Sequence, residues 1–208
     1  MSKLKSQQDS LDNIFVTSRL QRNCCYNNNL DIQWVSKHGY TEDVKRLLND
    51  PRVDPGAKNN NAIRYASEKG HTEIVKLLLN DPRVDPSANN NWAIQLASEH
   101  GHTEVVKLLL NDPRVDPSDK NNDAIRWASR RGHTEIVKLL LNDPRVDPSA
   151  NNNFAIRKTK STVIMDMLLE KVHLPTDLNI KKYKKFLIRK KYLLKLLNTK
   201  VYDYSKLF

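Results

Sequence analysis

The sequence predicts an all-α helical repeat solenoid with a capping helix at each end, on three observations. A 31-residue block recurs nearly word for word, residues 61–79 returning as 92–110 and again as 123–141. A worn copy precedes them at 30–48 and a shortened one follows at 154–169. The joint is copied too, since Asn-Asp-Pro-Arg-Val-Asp-Pro runs from Asn49, Asn80, Asn111 and Asn142. Self-similarity at this period marks stacked units, each too small to bury its own apolar face. The expected organisation is an N-terminal cap over 1–27 and repeats over 28–170 (28–58, 59–89, 90–120, 121–151 and a degenerate 152–170). A basic, amphipathic helical cap or tail follows over 171–208.

Each unit reads as two short antiparallel helices and a long loop. The first helix follows an Asn in cap position (Asn60, Asn91, Asn122, Asn153), whose side chain can satisfy early backbone N–H groups. It stops at Gly39, Gly70, Gly101 or Gly132, where a left-handed residue is needed. Thr41, Thr72, Thr103 and Thr134 are expected to cap the second helix, each with an acidic residue behind it at the positive helix end. Ile74, Val75, Leu78 and Leu79 form its apolar stripe, and Asp-Pro ends it because proline lacks the N–H and clashes with a continuing helix.

The pattern Ala-Ile-Arg-x-Ala-Ser-x-x-Gly-His-Thr-Glu-(Ile/Val)-Val-Lys-Leu-Leu-Leu resembles the ankyrin repeat, in the short, Asn-rich form common among giant DNA viruses of amoebae. The resemblance covers about residues 28–170. It departs at the family's Thr-Pro-Leu-His helix start, which is Asn61-Ala62-Ile63-Arg64, Trp92-Ala93-Ile94-Gln95 or Asp123-Ala124-Ile125-Arg126 here. The loop carries Pro-Arg-Val-Asp-Pro in place of a Gly-Ala turn, which leaves open whether it forms the family's β-hairpin.

The two ends differ from the middle. Asp43 and Arg46 stand where the later copies have Ile74 and Leu77, so the first face is partly wet. Leu11, Ile14, Phe15 and Leu20 suggest a capping helix over 9–23. The last copy loses three residues around its turn, and Val163 replaces the exposed Glu135 slot, giving a helix apolar nearly all round that expects cover from 175–208.

The net charge is +11. It is concentrated in residues 175–208, which hold ten Lys/Arg against Asp177 and Asp203. Tyr183, Phe186, Leu187, Leu193, Leu194 and Leu197 recur there at helical spacing, with lysines between them. Lys181, Lys182, Lys184, Lys185, Arg189, Lys190 and Lys191 could form the solvated face of a cap. They could equally meet an acidic partner, nucleic acid or anionic lipid, or direct nuclear import. His173-Leu174-Pro175-Thr176-Asp177-Leu178 resembles the start of F-box-like segments that end some viral ankyrin proteins. That resemblance implies a substrate-recruiting ubiquitin-ligase adaptor as a rival reading.

No secretory signal or transmembrane run is evident, so an intracellular protein of cytoplasm or nucleus is expected. Adjacent Cys24 and Cys25 make neither a disulfide framework nor a zinc site. His71, His102 and His133 form a ladder, but stacked helices lie about 8–10 Å apart, too far to share one ion. These histidines are expected to hydrogen-bond within their own turns. Asp85, Asp116 and Asp147 fail as paired catalytic carboxylates by the same distance, and five glycines supply no phosphate loop. The expectation is a non-enzyme with no cofactor, no metal and no small-molecule substrate.

What remains is a surface for another protein. The slots that vary between copies are Leu30, Asn61, Trp92, Asp123, Phe154 and the pairs Lys37-His38, Glu68-Lys69, Glu99-His100, Arg130-Arg131. The resemblance implies that these lie at the loop tips and on the first helices, facing a concave groove. Exposed Trp92 and Phe154 beside Arg130 are residue types that dominate interfaces. The slot Trp34, Tyr65, Leu96, Trp127 stays open between packing and partner contact. Glu68 and Glu99 give way to Arg130, Arg131, Arg157, Lys158 and Lys160, so the groove changes sign toward the C-terminal end.

Overall fold

The computed structural model describes residues 28–172, with side chains from Asp31 onward. The capping helix expected over 9–23, the basic residues of 175–208 and the segment from His173 to Leu178 lie outside the described residues. Within them, ten helices and no strand form five helix pairs. These are α1 (Asn28–His38) with α2 (Thr41–Leu48), α3 (Ala57–Lys69) with α4 (Thr72–Leu79), and α5 (Ala88–His100) with α6 (Thr103–Leu110). Then come α7 (Asp119–Arg131) with α8 (Thr134–Leu141) and α9 (Ala150–Lys158) with α10 (Thr162–Lys171). The loops therefore form no β-hairpin among the described residues.

Ile63, Ile74, Val75, Leu78 and their counterparts in the later copies make one continuous buried core through the stack. First helices pack on one another along the stack and bury small residues such as Ala62, Ala66 and Ser67 beside Ile63, while second helices bury bulky aliphatics such as Ile74, Val75 and Leu78.

Polar bonds between neighbouring copies repeat with the same period, and they correct three expectations. The Asn run is not a helix cap. Lys58-Asn59-Asn60, Asn89-Asn90-Asn91, Lys120-Asn121-Asn122 and Asn151-Asn152-Asn153 each form one left-handed turn, with φ between 52° and 62°, before the helix turns right-handed. Left-handed backbone disfavours L-residues, and Asn is among the few that adopt it readily. In the first three of these turns the third Asn is buried, and its Oδ1 accepts from the next copy: Asn60 from Asp85 N at 2.8 Å, Asn91 from Asp116 N at 2.8 Å, Asn122 from Asp147 N at 2.7 Å.

The histidines do not bond within their turns either. His71 Nε2 donates to the carbonyl oxygen of Lys37 at 3.1 Å, His102 Nε2 to that of Glu68 at 2.8 Å, and His133 Nε2 to that of Glu99 at 2.9 Å. Each bond crosses to the preceding copy. The rings lie against Gly39, Gly70 and Gly101, whose φ values of 83°, 75° and 85° are the left-handed stops expected from the sequence. The threonines are not N-caps: Tyr40, His71, His102 and His133 hold that position without a side-chain cap bond, and Thr72 Oγ1 donates to Gly70 O.

The Asp-Pro-Arg loop is a clamp. Asp81 accepts from the Arg83 backbone N–H, Nε and Nη2. So fixed, Arg83 donates through Nη1 to Val53 O at 2.8 Å and through Nη2 to Leu48 O at 2.9 Å, both in the preceding copy. Arg114 does the same to Val84 O and Leu79 O, and Arg145 to Val115 O. Asp85, Asp116 and Asp147 are turn residues whose Oδ1 accepts from the N–H and hydroxyl of Ser87, Ser118 and Ser149.

At the first copy, Asp43 and Arg46 bond to each other at 2.8 Å on a partly wet face. In the last copy the Gly-His turn is gone. Extended Thr159 ends α9, and Ser161 caps α10 by accepting from Ile164 N at 3.3 Å. Gly132 therefore has no ring beside it, and the space a Cβ would take there is open among the described residues. Val163 is 55% exposed.

Candidate partner-binding face

The variable slots sit on α1, α3, α5, α7 and α9. Trp92 is 40% exposed at the start of the right-handed part of α5. The Arg64 guanidinium from the preceding copy lies over its ring, 4.1 Å from the centroid. Phe154, expected to be exposed, is half-buried. Arg126 of the preceding copy lies over that ring at 4.5 Å, and the Trp127 ring meets it edge-on at 6.5 Å. Arg130 lies over Trp127 at 4.9 Å, so the structure gathers Phe154, Trp127 and Arg130 into one cluster. Trp92 belongs to a separate place two copies earlier.

The polar members of the variable set are largely engaged. Asn61 donates to Gln33 at 3.3 Å and accepts from Arg64 at 2.7 Å. Glu68 pairs with Lys69 at 2.8 Å, and the side-chain bond from Lys69 holds its carboxyl below the ordinary value. Glu99 pairs with Arg131 of the next copy. Asp123 pairs with Arg126, yet burial, the largest influence on it, pushes its carboxyl up. The ring of exposed His100 bonds the carbonyl oxygen of Leu96 at 2.9 Å. Burial pushes the Arg64 guanidinium down from its usual value.

The slot left open between packing and contact divides. Trp34 packs on the core, whereas Tyr65 lies under Lys37 at 5.3 Å and Trp127 under Arg130. Sequence reasoning missed Arg64 and Arg126. Their signal was present, since the slot reads Gln33, Arg64, Gln95, Arg126, Arg157, and through copy four its arginines fall where the slot three residues earlier is polar.

No three of His, Cys, Asp or Glu gather as a metal site among the described residues, and no helix there is long and apolar enough to cross a membrane. No curated protein matches the chain. Residues 32–121 and 80–152 match the family model described as ankyrin repeats (3 copies). With paired helices, left-handed glycine stops and one shared core running through that span, the chain belongs to the ankyrin-repeat family.

Proposed function

We propose that this chain is a non-catalytic module that grips a partner protein along the concave, first-helix face of its stack. Ankyrin repeats are generally protein–protein interaction modules, which supports the reading at family level. The observation that carries it here is Trp92, a large aromatic left 40% exposed on a face whose neighbouring polar groups are held in place. A rigid, half-open aromatic beside a guanidinium is the group that contributes most when an interface closes over it. The contact set comprises Trp92 and Phe154, with Asn61, Glu68, Lys69, Glu99, His100, Asp123, Arg130 and Arg131 around them.

The test is recovery of partners with the intact chain and with Trp92, Phe154 and Arg130 all changed to Ala, the variant first checked for an unchanged helical melt. Partners that depend on this face drop out of the variant's recovery. Unchanged recovery of every partner removes the assignment.

A further inference from the structure

One slot of the first-helix face, Asn61, Trp92, Asp123, Phe154, alternates between polar and aromatic with a period of two repeats. Copies two and four pair a polar residue with an arginine (Asn61 with Arg64, Asp123 with Arg126), and copies three and five place an aromatic, Trp92 or Phe154, in the first of those slots. Each arginine reaches forward onto the aromatic of the next copy. Gln95, between them, donates back to the Asn90 carbonyl oxygen at 2.6 Å and bridges to no neighbouring copy among the described residues. The result is two pads, one over copies two and three, the other over copies four and five. At about 8–10 Å per packed helix they lie roughly 16–20 Å apart.

Charge on this face is not balanced. Glu68, Glu99 and Asp123 are committed to Lys69, Arg131 and Arg126. Arg64 in the first pad and Arg130 in the second have no carboxylate partner among the described residues, and Arg157 of copy five, also without one there, donates to the Asn151 carbonyl oxygen. Arg64 is bonded to the neutral Asn61 amide and lies on Trp92. Arg130, exposed, lies on Trp127, whose ring abuts Phe154. An aromatic floor orients each guanidinium and leaves its outer edge for an acceptor.

We infer that the partner segment is an extended acidic peptide carrying two carboxylate clusters about five to six residues apart, one for each pad, at about 3.3 Å per residue. This rests on the first-helix face being the binding face. The two guanidiniums select charge, and their separation selects spacing.

The test uses the full chain and labelled Gly/Ser peptides bearing two Asp-Glu pairs separated by about two, five or ten residues, with a one-pair peptide as reference. The middle spacing binds roughly tenfold more tightly than the others, because only it engages both guanidiniums. Arg64→Gln and Arg130→Gln each reduce it to the one-pair level, and Arg64→Lys, which keeps the charge, restores part of the loss. Equal binding at all spacings, indifference to Arg64→Gln, or displacement by an equally charged DNA oligonucleotide at lower concentration overturns the inference. If these peptides fail while a partner dependent on Trp92 is still recovered, the acidic-register inference falls and the binding face stands.

Discussion

His102 Nε2 donates to the Glu68 carbonyl oxygen at 2.8 Å while the same ring occupies the space beside Gly70 that any Cβ would need. One residue thus joins two copies and forbids a side chain at the preceding stop. The last glycine differs, because Gly132 has no such ring beside it among the described residues.

Two alanine substitutions should therefore separate. Gly132→Ala meets only the left-handed backbone cost, about 1–2 kcal/mol. Gly101→Ala adds a clash with the His133 ring, whose Cε1 lies 2.6 Å from where the alanine Cβ would stand, for a total of about 2–4 kcal/mol. Urea unfolding of both variants measures the difference, and equal losses would show that the ring yields freely.

Asn90 and Asn91 share the left-handed backbone, but only Asn91 is buried and bonded onward. Asn90→Gly should be neutral or slightly stabilising, since glycine adopts this conformation at no steric cost. Asn91→Gly relieves the backbone equally yet strips the acceptor from Asp116 N and the bond from Asn91 Nδ2 to Asp119. A loss of about 1–3 kcal/mol is expected, read as a lower denaturation midpoint for Asn91→Gly alone.

The loop arginines give a matched pair. Arg114 reaches two carbonyls of the preceding copy, whereas Arg52 in the first copy bonds only Asp50 among the described residues. Arg114→Ala should cost about 1–3 kcal/mol, and Arg52→Ala should stay within about 0.5 kcal/mol. Comparable losses in thermal melts would assign Arg114's contribution to the local pair with Asp112 instead of the junction.

Acid should loosen the stack through the partners of these arginines. The side-chain bond from Arg83, Arg114 or Arg145 holds Asp81, Asp112 or Asp143 below the usual carboxylate range, and Arg52 lowers Asp50 to about 2. A carboxyl depressed in the folded state contributes stability above its unfolded pKa of about 3.9, and that contribution fades as pH falls toward the folded value. Urea midpoints should be flat in this respect from pH 7 to pH 5 and decline below about pH 4. Asp112→Asn should start lower at pH 7 and decline less steeply; an unchanged acid slope would contradict the clamp.

Helix pairing, the glycine stops and the aliphatic stripe were legible in the sequence because each follows from one residue's local physics. The roles of Asn60, His102 and Arg83 were not, because each acts on an adjacent copy and spacing within one copy cannot show it. Asn before an apolar run looks like a cap, and only its positive φ places the side chain on the neighbouring loop. On the candidate face, slot variation pointed to Trp92 but overlooked Arg64. That arginine belongs to the motif defining the repeat, so it read as framework.

The junction bonds recur between the same slots, so a junction does not register which units it joins. Whole units could be gained or lost in a lineage without retuning cohesion, whereas what the array displays would change at once. Excising residues 90–120 would bring Arg64 up against Asp123 and exchange an aromatic pad for an ion pair, leaving a shorter rod with equivalent seams and a different specificity.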